Sequence, residues 1–346
     1  QMTTKMEKPL LSVIMPVYNS AEYIETAVKS VLDQTFSALE LICIDDCSKD
    51  NSLEILKKTA EKDSRLRVIP LEENGGAGNA RNIGIAHAGA EYITFIDADD
   101  YIEPGLYESA YALTAGGTDE VVWGVTEEYY NAAGKHMSSN RIIPAAGLYK
   151  GREQIAKQAT ALERDTLFGY QWNSIYKASI IRENNIRFCD SVFYEDYFFN
   201  LDFIRHAGSL ATLDSAGYHY FKRVNGSITN RFAKDYFELS YKRVKSMYEF
   251  CIENKISDRE TGNILAGRLL RYTLSALARN NNPLSDMNAK DRKKWFEEVC
   301  NMPLYSSLLP GSDSGNFVFG ILKRAIINHN GTIALLLGKF VYAVRR

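Results

Sequence analysis

Two acidic clusters stand directly behind apolar runs. Asp45-Asp46 follows ELICI at 40–44, and Asp97-Ala98-Asp99-Asp100 follows YITFI at 92–96. In an open α/β sheet, ligands bind at the carboxyl ends of the strands. If both runs are strands, the fold delivers both clusters to one crevice. A single Asp behind a strand is commonly a helix N-cap, and Asp50 fits that reading. Four carboxylates at two strand ends repel one another unless a cation or hydrogen-bond donors compensate, which points to function. Asp97-Ala98-Asp99 is a D-x-D arrangement of hard oxygen ligands. Such ligands suit Mg²⁺ or Mn²⁺, which keep some waters and also take phosphate oxygens.

Two further constellations carry chemistry. Asn74-Gly75-Gly76-Ala77-Gly78-Asn79-Ala80-Arg81-Asn82 is a Gly-rich loop running into a helix. Glycines allow close backbone approach, and a helix start favours anions. The loop is neither a Walker loop nor a GxGxxG fingerprint. Arg81 either faces a diphosphate or pairs with a nearby carboxylate, and the sequence favours neither. Glu195-Asp196 lies among Phe193, Tyr194, Tyr197, Phe198 and Phe199. Read as a site, these aromatics form a partly apolar wall on which a sugar stacks, and one acid of the pair has a raised pKa suited to proton abstraction. Read as structure, the pair is a helix start with two dipole-stabilising acids.

The elements that position these residues are legible in the first hundred positions. LSVIMPV at 11–17 is a continuous apolar run, as in a strand buried on both faces. Helical spacing follows at 21–34, a strand at 40–44, a helix at 50–62, a strand at 66–70, a helix at 79–88 and a strand at 92–96. This alternation implies right-handed crossovers and a mostly parallel sheet. Beyond it, 120–130 reads as a strand, 145–151 as a turn-rich link and 152–163 as a helix. A short strand at 172–176, helices at 180–184 and 195–206, and a strand at 216–223 follow. From about Phe232 the pattern is helical, with long candidates at 235–254 and 258–279.

Composition excludes several classes. The chain has 346 residues, 41 Lys+Arg against 43 Asp+Glu, 45% hydrophobic and 24% charged residues. That is ordinary for a packed protein of about two domains. A near-neutral balance argues against a nucleic-acid binder. Five cysteines without CxxC spacing argue against a disulfide scaffold or thiolate metal site and suit a reducing cytosol. Gln1 to Lys8 lacks the apolar core of a signal peptide, and no run reaches the roughly 18 apolar residues of a spanning helix. The expectation is a soluble or peripheral protein. No acid follows Asp313, while Lys323, Arg324, Lys339, Arg345 and Arg346 lie in that stretch. The tail is therefore either a helical pair packed on the body or an amphipathic basic segment that rests on anionic lipid.

Four motifs in order resemble family 2 glycosyltransferases with the GT-A fold: VIMPVYNSAEYI at 13–24, IDDCSKDNS at 44–52, NGGAGNARNIGI at 74–85 and TFIDADDYI at 94–102. A looser resemblance runs through WNSIYK at 172–177, FYEDYFFN at 193–200 and YHYFKRVNGSIT at 218–229, and is similar to the bacterial capsule, lipopolysaccharide and teichoic-acid branches. The resemblance implies roles by position. Pro16-Val17-Tyr18 would lie along the nucleoside, and Asp46 would accept from uracil N3–H, as an acceptor-only group can. Asp99 would ligate the metal bridging the donor phosphates, with Asp97 supporting it. Asp196 would be the catalytic base and Glu195 its support, with Asp100 or Asp190 as fallback bases. His219 would stand near the diphosphate or metal, or be a satisfied strand histidine. Gly76, Arg81, His219 and Arg223 complete the donor-binding set.

The resulting expectation is an α/β, GT-A (Rossmann-like) enzyme with a helical C-terminal region. Residues 1–115 would form the nucleotide-sugar half, 116–231 the acceptor half and 232–346 the helical region. Its function would be that of an inverting, Mn²⁺- or Mg²⁺-dependent transferase of hexosyltransferase type. The donor would be a nucleoside diphosphate sugar, most simply a UDP-sugar. The acceptor would be a glycan or lipid-linked molecule in cell-surface polysaccharide synthesis. No nucleic-acid partner is expected. The place would be cytoplasmic, with peripheral contact on the inner face of the membrane through the basic tail. The rival readings are a non-catalytic sugar-nucleotide-binding scaffold and a Rossmann oxidoreductase. The latter needs a GxGxxG turn after the first strand, where Pro16-Val17-Tyr18-Asn19 has no glycine.

Overall fold

The apolar run at 11–17 forms strand β1 (Leu11–Val17) in a computed structural model that describes residues 8–189, 194–223 and 232–344. Parallel neighbours on both sides explain its lack of polar alternation. They are β2 (Leu39–Asp45) and β4 (Tyr92–Phe95), with β3 (Leu66–Pro70) parallel to β2 in turn. Helices α1 (Ile24–Leu32), α2 (Ser52–Ala60) and α3 (Gly76–His87) make the crossovers. Gly84 lets α3 lie close to β1, since a Cβ there would meet Ile14 Cγ2 at 2.3 Å.

The next elements are β5 (Tyr101–Ile102), α4 (Leu106–Ala112), β6 (Glu120–Tyr130), β7 (His136–Ile142), β8 (Gly147–Lys150), α5 (Arg152–Arg164), β9 (Ser174–Lys177), α6 (Ala178–Glu183), α7 (Glu195–His206) and β10 (Ser209–Lys222). The main path of the mixed sheet runs β3-β2-β1-β4-β9-β6-β10-β5, with β7 on β6 and β8 on β10. Strand β9 is antiparallel to both β4 and β6 and so joins the all-parallel half to the remainder.

Six elements depart from the sequence expectation. The link at 145–151 contains β8, paired antiparallel with β10. Strand β7 is exposed along most of its length, so it carries no apolar alternation to read. The two-residue β5 and the short α4 were not foreseen. Strand β10 begins at Ser209 rather than 216, because a register shift between Leu213 and Tyr218 interrupts its pattern. Helix α3 begins at Gly76, ahead of the expected 79.

The C-terminal elements are helical: α8 (Tyr236–Glu253), α9 (Arg259–Arg279), a 3₁₀ turn at Pro283–Ser285, α10 (Ala289–Cys300), α11 (Pro303–Leu308), α12 (Phe317–Ile327) and α13 (Gly331–Val344). The chain divides into two compact units, and residues Ala156–Arg164 group with the C-terminal helices. Helix α13 packs on α9 at Gly338, where a Cβ would lie 2.7 Å from the Leu277 carbonyl oxygen. Ala334, Leu322 and Ile326 are buried, whereas Phe317, Leu336, Phe340 and Val344 are exposed. Among the described residues no helix is long and apolar enough to cross a membrane.

Candidate active site

Because β1, β2 and β4 are parallel, their carboxyl ends share one edge of the sheet. The Asp46 amide donates to the Val17 carbonyl at 2.8 Å, tying Pro16-Val17-Tyr18 to the first acid pair. Tyr18 is exposed there and Pro16 half-buried. The buried Asp46 carboxylate accepts from the Gly75 and Gly76 amides, each at 2.8 Å. These are amides at the start of α3 that lack helical partners. Asp46 therefore fills the anion position that the Gly-rich loop offers. Gly76 has φ +83°, where a side chain would be strained. Asp45 is buried too. Its Oδ2 accepts from the Ser48 amide at 3.2 Å, while Oδ1 has no hydrogen-bond partner.

The second cluster is gathered by an arginine. Arg81, only 4% exposed, sits on α3. Its Nη2 lies 3.0 Å from Asp97 Oδ1, and its Nη1 lies 2.7 Å from Glu195 Oε1 and 3.1 Å from Asp196 Oδ1. Gly78 permits this meeting, since a Cβ there would stand 2.7 Å from Glu195 Oε2. Burial works to lower the Arg81 pKa, but Asp196, Asp97 and Glu195 together raise it above its usual value. Of the two readings of Arg81, the geometry matches the pairing with carboxylates.

Asp99 turns to a different cation. Its Oδ2 lies 3.0 Å from Arg223 Nη1, and the Arg223 guanidinium lies 4.0 Å from the Tyr23 ring centroid. Burial, then Asp97, raise the Asp99 carboxyl above its usual range against the pull of Arg223. Asp100 is buried. It accepts from the Tyr218 hydroxyl at 2.8 Å and the Phe221 amide at 3.0 Å. Burial, with Asp99 and Asp97, pushes its carboxyl well above the usual range. Asp100 thus ties the end of β4 to β10, which makes it a poor fallback base. Asp190, the other fallback, lies outside the described residues, as do Phe193 and positions 224–229 of the last motif.

Glu195 and Asp196 open α7, behind Tyr194 at φ +64°. Two of the five aromatics expected to form a wall do not line an opening. Tyr197 and Phe199 are buried, and Phe199 stacks on Phe188 at 4.2 Å and meets Phe95 edge-on at 5.7 Å. They anchor α7 behind the D-x-D rather than line an opening. His219 has Nδ1 2.9 Å from Glu128 Oε1 and Nε2 3.2 Å from Glu103 Oε1. That is the satisfied arrangement, with both ring nitrogens engaged. Among the described residues no three His, Cys, Asp or Glu side chains converge as a metal cage.

Against this geometry stand the comparisons. The sequence model described as glycosyl transferase family 2 matches residues 12–184. EpsH of Bacillus subtilis, assigned as a glycosyltransferase, is 33% identical over 253 residues, 72% of this chain and 71% of EpsH. The chain belongs to glycosyl transferase family 2. TarP of Staphylococcus aureus, a poly(ribitol-phosphate) β-N-acetylglucosaminyltransferase, is 28% identical over 342 residues, 94% of this chain and 98% of TarP. The solved structure of S. aureus TarS with UDP-GlcNAc superposes with a TM-score of 0.67 at 21% identity, covering 97% of this chain and 92% of that one. The fold is therefore GT-A, an α/β sheet flanked by helices.

In this family 2 glycosyltransferase the four motifs of the first hundred residues lie inside the matched region. Glu195, Asp196, His219 and Arg223 lie outside it. Arg81 joins the two sets through direct ion pairs. Sequence reasoning missed Gln171, Glu103 and Glu128. None stands in a recognisable pattern, so only the fold reveals them.

Proposed function

We propose that this chain is an inverting glycosyltransferase. It moves a sugar from a nucleoside diphosphate sugar, a UDP-sugar, to a hydroxyl of a glycan or lipid-linked acceptor in cell-surface polysaccharide synthesis. The observation that carries this reading is the Arg81 cluster, which holds the D-x-D acid Asp97 beside Glu195 and Asp196. The UDP-GlcNAc bound to TarS and the name of TarP support the donor class.

The nucleoside lies along Pro16-Val17-Tyr18. Asp46 accepts from uracil N3–H with lone pairs beyond those used by Gly75 and Gly76. Asp196 is partly exposed and takes the proton of the acceptor hydroxyl as its oxygen attacks sugar C1. The C1–O bond to the diphosphate breaks, and the electron pair leaves with UDP. Glu195 shares the Arg81 guanidinium and keeps Asp196 in place. Arg223 adds positive charge near the diphosphate. Asp99 and Asp97 fit a divalent ion. They are two hard carboxylates, Asp99 raised first by burial and then by Asp97, and Mg²⁺ commonly takes one or two carboxylates plus substrate phosphates. Bound there, Mn²⁺ or Mg²⁺ would neutralise charge on the leaving diphosphate.

A panel of sugar nucleotides and acceptors, read by released nucleoside diphosphate, tests the reading. UDP is expected to raise the melting temperature more with Mn²⁺ than with EDTA. Asp99→Ala should remove that difference, and Asp46→Ala should weaken uridine binding even without metal. A protein that binds UDP yet releases none with any acceptor would be the non-catalytic scaffold instead.

We also propose a cytoplasmic location with contact to an anionic membrane surface through α12 and α13. Their exposed Phe317, Leu336, Phe340 and Val344 accompany Lys323, Arg324 and Lys339 with no acid. Apolar area plus cations is the combination that binds anionic lipid. Co-sedimentation with anionic vesicles should weaken as salt rises and in Phe340→Glu. Binding unchanged by both would remove this contact. Concentration-dependent self-association abolished by Phe340→Glu, without vesicle binding, would assign the face to a second copy.

A further inference from the structure

Gln171 is fully buried in the turn before β9, at the base of the Arg81 cluster. With its amide oriented to satisfy its neighbours, Oε1 accepts from Arg81 Nη2 at 2.8 Å and Nε at 3.1 Å. Nε2 then donates to Asp196 Oδ2 at 3.0 Å and Oδ1 at 3.3 Å. An amide is among the few side chains that present an acceptor to a guanidinium and a donor to a carboxylate at once.

The segment that carries Gln171 is held to the helix that carries Asp196. Asn200 of α7 donates from Nδ2 to the Phe168 and Tyr170 carbonyls, each at 2.8 Å. Tyr176 of β9 donates to the Gln171 carbonyl at 3.2 Å and lies 2.7 Å from Asn200 Oδ1. The turn and α7 are thus fastened together by buried hydrogen bonds, and the Gln171 amide meets Asp196 as part of that frame.

We infer that Gln171 is a positioning residue for Asp196, an inference that rests on the role of Asp196 as base. A guanidinium prefers to take a carboxylate in a two-bond fork. On Arg81 the Nε/Nη2 edge of that fork is occupied by the Gln171 carbonyl oxygen, while Asp196 meets Nη1. Gln171 therefore denies Asp196 the forked pairing through that edge. It holds the carboxylate from the other side with a neutral donor and fixes its plane. A glutamate here would still satisfy Arg81 but would face Asp196 with a like charge.

The test is a double-mutant cycle on the full chain, measured in the transfer assay. Gln171→Met removes both hydrogen bonds at similar volume. Gln171→Glu keeps the acceptor for Arg81 and loses the donor to Asp196. Misplacing a reacting group by about 1 Å costs up to about a hundredfold. Each variant should lower kcat about ten- to a hundredfold and leave the donor KM within about threefold. Combined with Asp196→Asn, neither should slow transfer further. If Gln171→Met does not fold, Gln171→Glu carries the test. Near wild-type kcat in the folded Gln171 variants overturns the inference. So do losses that multiply with that of Asp196→Asn, since Gln171 would then act elsewhere. A wild-type rate in Asp196→Asn itself would remove the base assignment and this inference with it, a result distinct from both others.

Discussion

Each of the two units holds a buried cluster of arginine and carboxylate, and the two are balanced in opposite ways. In the first, Arg81 pairs with three acids, and Asp97, Glu195 and Asp196 remain 28%, 19% and 27% exposed. In the second, one acid, Glu163, serves two cations. Its Oε2 lies 2.7 Å from Arg243 Nη2 and its Oε1 3.4 Å from Arg268 Nε, and all three side chains are nearly buried. Arg268 also donates to the Glu163 and Arg164 carbonyls. The second cluster is closed and supplies hydrogen bonds to the end of a helix. The first is partly exposed on its acid side. A closed cluster can only stabilise, whereas an open acid-rich one can accept a proton, a cation or a donor hydroxyl.

Breaking each cluster should therefore show in different measurements. The largest effect is expected from Glu163→Ala. Removing one partner of a buried ion pair costs about 3–5 kcal/mol because the charges left behind are unpaired. The melting temperature should fall sharply, while the protein that remains folded should still transfer sugar at its normal rate. A melting temperature near that of the wild type would mean that the second cluster stabilises nothing.

The open cluster should respond in rate. Asp196→Asn keeps shape but cannot take a proton, and a general base is worth roughly 10²–10⁴ in rate. Transfer should fall by at least about a hundredfold, with UDP-sugar affinity kept and only a small change in melting temperature. Glu195→Gln should do less. If Glu195→Gln abolished transfer and Asp196→Asn did not, the two roles would be exchanged. If Asp196→Asn lowered stability as Glu163→Ala does and left the rate alone, the contrast between the clusters would collapse.

The two clusters also differ in how far the sequence disclosed them. Strands β1, β2 and β4 were legible because burial on both faces leaves an unbroken apolar run. Asp46, Asp97 and Asp99 were legible because a strand end fixes where its next residues go. The partners of Arg81 were not, since Asp97 and Glu195 are separated by almost a hundred positions and only the packing of α7 on Phe95 and Phe188 closes that distance. Gln171, Glu163 and Arg243 carry no pattern at all. Two of the aromatics around Glu195 misled for a related reason. Composition shows that Tyr197 and Phe199 are apolar, but not which side of α7 they take.

Glu120 supplies the cleanest contrast, because it is a buried acid with no cation paired to it among the described residues. It stands at the start of β6, 3% exposed, with Oε2 lacking a hydrogen-bond partner. Burial pushes its carboxyl up to about 8 from a usual 4.5, against a smaller opposing pull from Ser174. The sign follows from proton linkage. Below pH 4.5 both folded and unfolded chains hold the proton, and Glu120 adds no pH-dependent cost. As pH rises from there, the unfolded chain ionises while the folded one keeps its proton, so stability falls until about pH 8, where the folded group ionises too. Glu120→Gln removes the titration. Its melting temperature relative to wild type should therefore climb between pH 4.5 and 8 by roughly ten degrees or more, since the shift corresponds to about 5 kcal/mol at about 2–4 °C per kcal/mol. The measured quantity is the change of that difference with pH, which any fixed packing cost of the amide leaves unaltered. A flat difference would show that Glu120 is ionised in the folded chain, and a cation or water would have to be found for it.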